Sequence, residues 1–183
     1  MNKVNHDNAG YLLRDGFVGV VPTDTLYGLV ASAKDAEAVS RVFSLKKRDI
    51  NKPCIILINE PEQLNFFGVI LNPEIIERSK EFWPGPVSLV FDVQDPPVYL
   101  SRGSNSLAFR MPSDQKIKRI LDISGPLIAP SANTEGMRPA STVSEAFNYF
   151  GNNVDFYLDD GPREGLPSRV IALQREGENI NLR

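Results

Sequence analysis

The stretch that decides the fold runs through Val20-Val21-Pro22-Thr23-Asp24-Thr25-Leu26-Tyr27-Gly28 and, after a helical segment, Lys46-Lys47-Arg48-Asp49-Ile50-Asn51-Lys52-Pro53. An apolar strand leads into the first motif, and a second apolar strand follows the second motif. The stretch therefore predicts a hydroxyl-lined turn that faces a cationic loop, which is what a small polar substrate and a polyphosphate would need together.

Helical and apolar segments alternate along the rest of the chain. The apolar spacing and the capping residues predict helices at about 7–15, 35–46, 73–82, 114–123 and 141–150. Short apolar runs predict strands at 17–21, 54–58, 87–91, 107–110, 126–130, 155–158 and 169–173. We therefore expect an α+β, three-layer fold, with a mixed sheet that helices cover on both faces.

Length and composition indicate one globular domain across residues 1–183. The chain has 183 residues, of which 42% are hydrophobic and 23% charged. It contains no apolar run of the roughly 18 residues that a membrane span needs. Its first seven residues are polar and lack the apolar core of a secretory signal. We expect a cytoplasmic protein with no membrane partner.

The scarcity of histidine and cysteine excludes several kinds of site. His6 is the only histidine and Cys54 the only cysteine, so His-based triads and His-rich zinc sites are poor interpretations, and we predict no protein metal site. Cys54 lies in an apolar run and is interpreted as an inert core residue. The net charge of −3 argues against a surface that binds nucleic acid throughout. Any anion site must be local.

The cationic loop has two interpretations. Its four cations are Lys46, Lys47, Arg48 and Lys52. A solvated helix end stabilised by the helix dipole is favoured on charge alone. The position of the loop before a buried strand instead favours ligand binding, because open sheets bind ligands at strand ends.

Three other polar positions follow predicted strands. The threonines of the first motif either cap a helix or form a pocket with the Tyr27 ring. Ser131 and Asn133 either form a plain turn or supply hydrogen-bonding groups at a similar edge. Arg110 ends an apolar strand and needs an anionic partner or a route to solvent. The chain has no Walker A, G-x-G-x-x-G, metalloprotease or EF-hand pattern, so a nucleotide would need another type of site.

Together these residues resemble the YrdC family. Its motifs are P-T-[DE]-T-x-Y-G-L, K-x-R-x-x-x-K-P, W-P-G-P-[LV]-[ST], R-x-[PT], S-A-N and G-x-P-S. They stand here, in order, at Pro22 to Leu29, Lys46 to Pro53, Trp83 to Ser88, Arg110 to Pro112, Ser131 to Asn133 and Gly165 to Ser168. The motifs cover nearly the whole chain, and six in order are far more specific than one.

The resemblance implies a YrdC-like fold, a twisted mixed sheet with a concave basic face. It implies an L-threonylcarbamoyladenylate synthase, a nucleotidyltransferase that converts L-threonine, bicarbonate and ATP into threonylcarbamoyl-AMP and pyrophosphate. Other proteins would transfer the threonylcarbamoyl group to tRNA, next to the anticodon. Mg²⁺ is expected as a cofactor, held mainly by the ATP phosphates. Weak RNA binding is a further expectation.

The resemblance also implies roles for individual residues. Threonine would meet Thr23, Thr25, Tyr27, Arg110 and Ser168, with Arg110 on its carboxylate. ATP would meet Lys46, Arg48, Lys52, Ser106, Ser131, Asn133 and Arg183. Lys46 and Arg48 would act in catalysis by neutralising charge. The chain departs from the family pattern at Asp49, Ala129, Glu135, Arg169 and Ala172.

Two alternatives remain open on the sequence. A non-catalytic RNA-binding or ribosome-assembly factor would use the same basic concavity. A carbamoyl-transfer module would resemble the related domain of hydrogenase maturation proteins, which are much longer chains.

Overall fold

The computed structural model describes residues 4–47, 54–173 and 180–182. Within these ranges the six α-helices are α1 (His6–Arg14), α2 (Ala36–Lys46), α3 (Pro73–Ser79), α4 (Val98–Ser101), α5 (Gln115–Ser124) and α6 (Val143–Phe150). The described residues also form two 3₁₀-helices, at Pro61–Phe67 and Gly151–Asn153. The strands are β1 (Gly19–Pro22), β2 (Tyr27–Ser32), β3 (Ile55–Leu57), β4 (Val87–Asp92), β5 (Ser106–Arg110), β6 (Leu127–Ile128), β7 (Phe156–Tyr157), β8 (Arg169–Ala172) and β9 (Ile180–Asn181).

The nine strands of the described residues form one sheet in the order β7-β1-β2-β6-β3-β5-β4-β8-β9. Three pairs are parallel, namely β1 with β7, β3 with β5 and β4 with β8. The other five pairs are antiparallel. The predicted mixed sheet is confirmed.

Alternate residues of the central strands enter two separate cores. In β1, Val20 belongs to the core with α2 and Val21 to the core with α1 and α5. Ile56 and Leu57 of β3 divide in the same way. Because successive side chains of a strand point to opposite faces, helices must cover both faces. The predicted three-layer arrangement is confirmed.

Helix boundaries follow the predicted caps. The Asp35 carboxylate accepts hydrogen bonds from the Glu37 and Ala38 amides at the start of α2, and the Thr142 hydroxyl accepts from the Glu145 amide at the start of α6. The α3 helix ends at Ser79, three residues earlier than predicted. The sequence analysis missed β2, β9, α4 and the 3₁₀-helices. In the described part of the chain, every helix is too short or too polar to cross a bilayer.

Candidate active site

The first motif forms the turn of a hairpin between β1 and β2. Pro22 pairs with Tyr27 across the two strands, and the Thr23 amide donates to the Leu26 carbonyl at 3.0 Å. The Thr23 hydroxyl also donates to that carbonyl at 2.8 Å, and it accepts from the Thr25 amide at 3.2 Å. The alternative in which the threonines cap a helix is therefore wrong.

The polar side chains of this turn hold Arg110, at the end of β5. Arg110 is buried, with its Nη2 atom 3.0 Å from Asp24 Oδ1. Its Nη1 group donates to the Thr25 hydroxyl at 3.1 Å. Asp24 is thus the anionic partner that the sequence analysis required without naming. Burial raises the pKa of Asp24 above its ordinary 3.8, and the charge of Arg110 opposes that rise.

Lys46 brings the end of α2 against the Ser131–Asn133 loop. Only 2% of Lys46 is exposed, so the interpretation of a solvated helix end is wrong for this residue. Its Nζ group donates to the Ser131 carbonyl at 2.5 Å, to the Asn133 carbonyl at 2.8 Å and to Asn133 Oδ1 at 3.2 Å. The second and fifth motifs therefore meet.

Asn133 builds this loop from inside. Its Oδ1 atom accepts from the Ser131 hydroxyl at 2.6 Å, and its Nδ2 group donates to the carbonyls of Thr134 and Met137. The Ala132 amide donates to the Tyr27 carbonyl at 2.7 Å, which fastens the loop to the hairpin. The turn interpretation is confirmed for Asn133, and a nucleotide contact by this residue stays a prediction.

A cavity of about 440 Å³ lies beside these motifs. Four of the predicted site residues line it, from three segments of the chain: Ser106 and Arg110 of β5, Ser131 and Ser168. Its volume is within the range of small-molecule pockets. Among the described residues of the lining, only Arg110 carries a formal charge. The basic character predicted for the concave face stays a prediction.

The other predicted residues divide into two groups. Thr23, Thr25, Tyr27, Lys46 and Asn133 adjoin the lining residues but are not part of the lining. The predictions for Arg48, Lys52 and Arg183 lie outside the described residues. Cys54 is buried in the core, as predicted, and also borders the cavity.

The family model Sua5_yciO_yrdC, described as "Telomere recombination", matches residues 11–183. The chain belongs to the Sua5/YciO/YrdC family. The resemblance drawn from the six motifs is thereby confirmed.

Named relatives in this family are similar over most of the chain. It is 34% identical to a threonylcarbamoyl-AMP synthase of Pyrococcus abyssi, over 90% of the chain and 49% of that protein. It is 32% identical to one of Coxiella burnetii, over 88% of the chain and 92% of that protein. The chain thus spans about half of the first relative and most of the second.

The structure of P. abyssi Sua5 in complex with L-threonine superposes with a TM-score of 0.88 at 32% identity. The match covers 97% of this chain and 53% of that chain.

The departures from the Sua5/YciO/YrdC pattern lie at different distances from the cavity. Ala129 lines the cavity. Glu135 adjoins the second motif, because its amide donates to the Lys46 carbonyl at 2.8 Å. Arg169 and Ala172 lie in β8, paired with Val87 and Val90. Of these four residues, only Ala129 belongs to the described lining of the cavity.

The sequence analysis did not identify two polar residues near the cavity, Asp24 and Ser88. Asp24 lies inside the first motif, and its position between two threonines was the sequence signal that could have identified it. Ser88 closes another motif, and its hydroxyl lies 3.1 Å from that of Ser168, with both residues buried. No local pattern pairs two serines 80 positions apart.

Proposed function

We propose that the chain is a threonylcarbamoyl-AMP synthase that joins L-threonine, bicarbonate and ATP. The observation that carries this proposal is the convergence of Ser106, Arg110, Ser131 and Ser168 on one cavity of about 440 Å³. Serine hydroxyls and one buried guanidinium suit a small zwitterion beside a polar nucleotide. The similarity to named synthases supports the same assignment.

The proposed chemistry has two steps. The threonine amine adds to bicarbonate, water leaves, and a carbamate forms. A carbamate oxygen then attacks the α-phosphorus of ATP, its bond to pyrophosphate breaks, and threonylcarbamoyl-AMP results. Both reactants of the second step are anionic, so their approach requires positive charge and fixed orientation.

The chain's own residues would supply both requirements. Arg110, held from behind by Asp24 and Thr25, would bind the threonine carboxylate. Ser168 would lie beside threonine, and Ser106 and Ser131 would contact threonine or nucleotide. Lys46, with Arg48 and Lys52 of the cationic loop, would bind the phosphates. Lys46 donates to the Ser131 carbonyl, and Ser131 lines the cavity. The charge of Lys46 therefore lies next to the cavity wall, which supports this role.

Magnesium would enter with the nucleotide. Within residues 4–47, 54–173 and 180–182, no three His, Cys, Asp or Glu side chains are grouped so that they could hold a metal ion. The protein thus offers no described carboxylate cage, and the Mg²⁺ that we propose would be held by the phosphates of ATP. It would neutralise phosphate charge there.

The proposed cellular role follows from the product. The chain would act in the cytoplasm, and other proteins would move the threonylcarbamoyl group onto tRNA. Direct RNA contact would be weak, because the net charge is −3.

The decisive experiment is product analysis after incubation with ATP, L-threonine and labelled bicarbonate. We expect labelled threonylcarbamoyl-AMP and an equal amount of pyrophosphate. Pyrophosphate that does not depend on threonine, or a labelled carbamoyl group on another acceptor, would contradict the proposal and favour a carbamoyl-transfer module. Salt-sensitive binding of structured RNA without any turnover would favour the RNA-binding alternative.

A matched pair of variants ties the activity to the cavity. Ser168 and Ser88 are both buried with their hydroxyls in contact, but only Ser168 lines the cavity. Ser168→Ala should lower product formation by roughly 10-fold, and Ser88→Ala should lower it less, because one removes a substrate contact and the other only its support. Equal rates for the wild type and Ser168→Ala would contradict the assigned cavity.

A further inference from the structure

The segment 159–168, which we call the strap, joins β7 to β8. In the sheet order, β7 is an edge strand, and six strands separate it from β8. The strap contains no helix or strand, and most of its residues are exposed. A connection of this kind has little packing of its own, so specific contacts must decide where it lies.

The first such contact is the Tyr27 hydroxyl. It donates to the Gly161 carbonyl at 2.7 Å and accepts from the Asp160 amide at 3.3 Å. Tyr27 itself is completely buried, so its ring is fixed by the core. The hydroxyl therefore offers a rigid attachment point for the beginning of the strap.

Two further contacts continue the attachment over the hairpin turn. The Arg163 guanidinium donates to the Thr23 carbonyl at 3.3 Å and to Asp160 Oδ2 at 2.7 Å. A Cβ atom at Gly165 would lie 2.3 Å from the Thr25 carbonyl oxygen. The strap backbone thus rests directly on the turn that holds Arg110.

The end of the strap enters the cavity wall. Pro167 and Ser168 line the cavity, and the Ser168 hydroxyl meets that of Ser88. The part of the strap that contacts Tyr27 and the part that lines the cavity belong to one short segment. A shift at Gly161 or Gly165 is therefore expected to displace Pro167 and Ser168.

We propose that Tyr27 is a positioning residue, whose hydroxyl holds the strap across the Thr23–Leu26 turn and so places Pro167 and Ser168 in the cavity wall. The identity of the ligand as threonine depends on the proposed function, but the placement of the strap does not. Tyr27 acts through Ser168 and does not touch the ligand. This assigns the Tyr27 hydroxyl a role different from the direct threonine contact predicted from the sequence.

The chain offers a matched control in Tyr157. Its hydroxyl also donates to a glycine carbonyl, that of Gly151, at 2.7 Å, and the residue is also buried. Burial raises the pKa of Tyr27, and raises the pKa of Tyr157 to about 12, so both phenols are neutral donors at pH 7. Tyr27→Phe and Tyr157→Phe each delete a hydrogen bond to a glycine carbonyl. Tyr27→Phe also removes the acceptor of the Asp160 amide, and only this variant reaches the strap.

The experiment compares both variants by hydrogen exchange and by kinetics. The Arg163 amide, which donates to the Ser141 carbonyl at 2.8 Å, reports on the strap away from the deleted hydroxyl. In Tyr27→Phe we expect this amide to exchange roughly 3- to 10-fold faster, the KM for threonine to rise by a similar factor, and kcat to change less than about twofold. Tyr157→Phe should change neither the exchange nor the KM.

A second variant keeps the proposal falsifiable if Tyr27→Phe does not fold. Gly165→Ala lies on the exposed strap and leaves the Tyr27 hydroxyl in place, and its methyl group would force the strap away from Thr25. We expect the same rise in the KM for threonine. Wild-type KM values in the variants that fold, or equal effects of Tyr27→Phe and Tyr157→Phe, would overturn the proposal.

The two proposals can fail separately. If the wild type makes no threonylcarbamoyl-AMP, the proposed function fails, and the exchange of the Arg163 amide still decides the placement of the strap. Faster exchange in Tyr27→Phe alone would support the placement. Unchanged exchange would refute it.

Discussion

Asp24 and Arg110 form a buried ion pair, with 3.0 Å between Asp24 Oδ1 and Arg110 Nη2 and less than a tenth of each side chain exposed. Asp24 comes from the hairpin turn and Arg110 from the end of β5, so the pair joins two of the family motifs. Arg110 borders the cavity and Asp24 does not. The carboxylate therefore orients the guanidinium from behind.

Asp24→Asn should separate stability from function. Removal of the carboxylate leaves the buried Arg110 guanidinium without its anion, but burial raises the pKa of Asp24 and opposes its charge. The free energy of unfolding at pH 7 should therefore fall by less than the roughly 3 kcal/mol that a broken buried ion pair costs. Loss of the charge that orients Arg110 should raise the KM for threonine roughly 10-fold. Urea unfolding and steady-state kinetics measure the two effects.

The control for this prediction is Glu77→Gln, which removes a carboxylate from the exposed pair with Lys80. It should change neither quantity. A loss of stability of about 3 kcal/mol or more in Asp24→Asn would contradict the prediction and would make the ion pair a stabilising contact.

The Asp24–Arg110 pair also predicts how the stability of the protein depends on pH. Burial raises the pKa of Asp24 in the folded protein above 3.8. The stability that Asp24 contributes is therefore fully present below its pKa in the unfolded chain, and it is lost as pH rises through its pKa in the folded protein. The free energy of unfolding of the wild type, minus that of Asp24→Asn, should therefore increase from pH 7 towards pH 3.

Urea unfolding of both proteins across this pH range measures the difference, in which the other titrating groups cancel. A difference that shrinks towards acid would show that Arg110 lowers the pKa of Asp24 more than burial raises it.

Lys46→Met should destabilise the protein and inactivate it. The substitution removes the Nζ donor from the Asn133 carbonyl and from the Ser131 carbonyl, which keeps only the Asn133 amide, at a cost of about 2 kcal/mol. Lys47→Met is the matched control, because Lys47 is adjacent and exposed. Chemical denaturation should place only Lys46→Met below the wild type. Equal stability of the two variants would argue that Lys46 is a surface cation.

Asn133→Asp tests the interior of the same loop. A carboxylate oxygen would replace the Nδ2 group that donates to Thr134 and Met137, and two carbonyls would lose their donor. We expect the free energy of unfolding to fall by about 2 kcal/mol. Asn152→Asp, at an exposed position, should leave stability unchanged. A stable Asn133→Asp that has lost activity would instead support a direct nucleotide contact.

The motifs predicted which residues meet, but not how they meet. Arg110 needed a partner because a guanidinium at the end of an apolar strand cannot stay uncompensated, and the structure supplies Asp24. Periodicity could not identify β2, because all six of its residues are buried and no alternation marks it. The pairing of Ser88 with Ser168 depends on the parallel alignment of β4 and β8, which no local pattern encodes.

The pairing of β1 with β7 has a consequence for synthesis on the ribosome. Gly19 and Val20 find their partners at Phe156 and Tyr157, so one side of β1 stays unpaired while most of the chain is being translated. A nascent apolar strand with an open edge is a template for aggregation. We expect truncated nascent chains that end before β7 to bind chaperones more strongly than chains that include it.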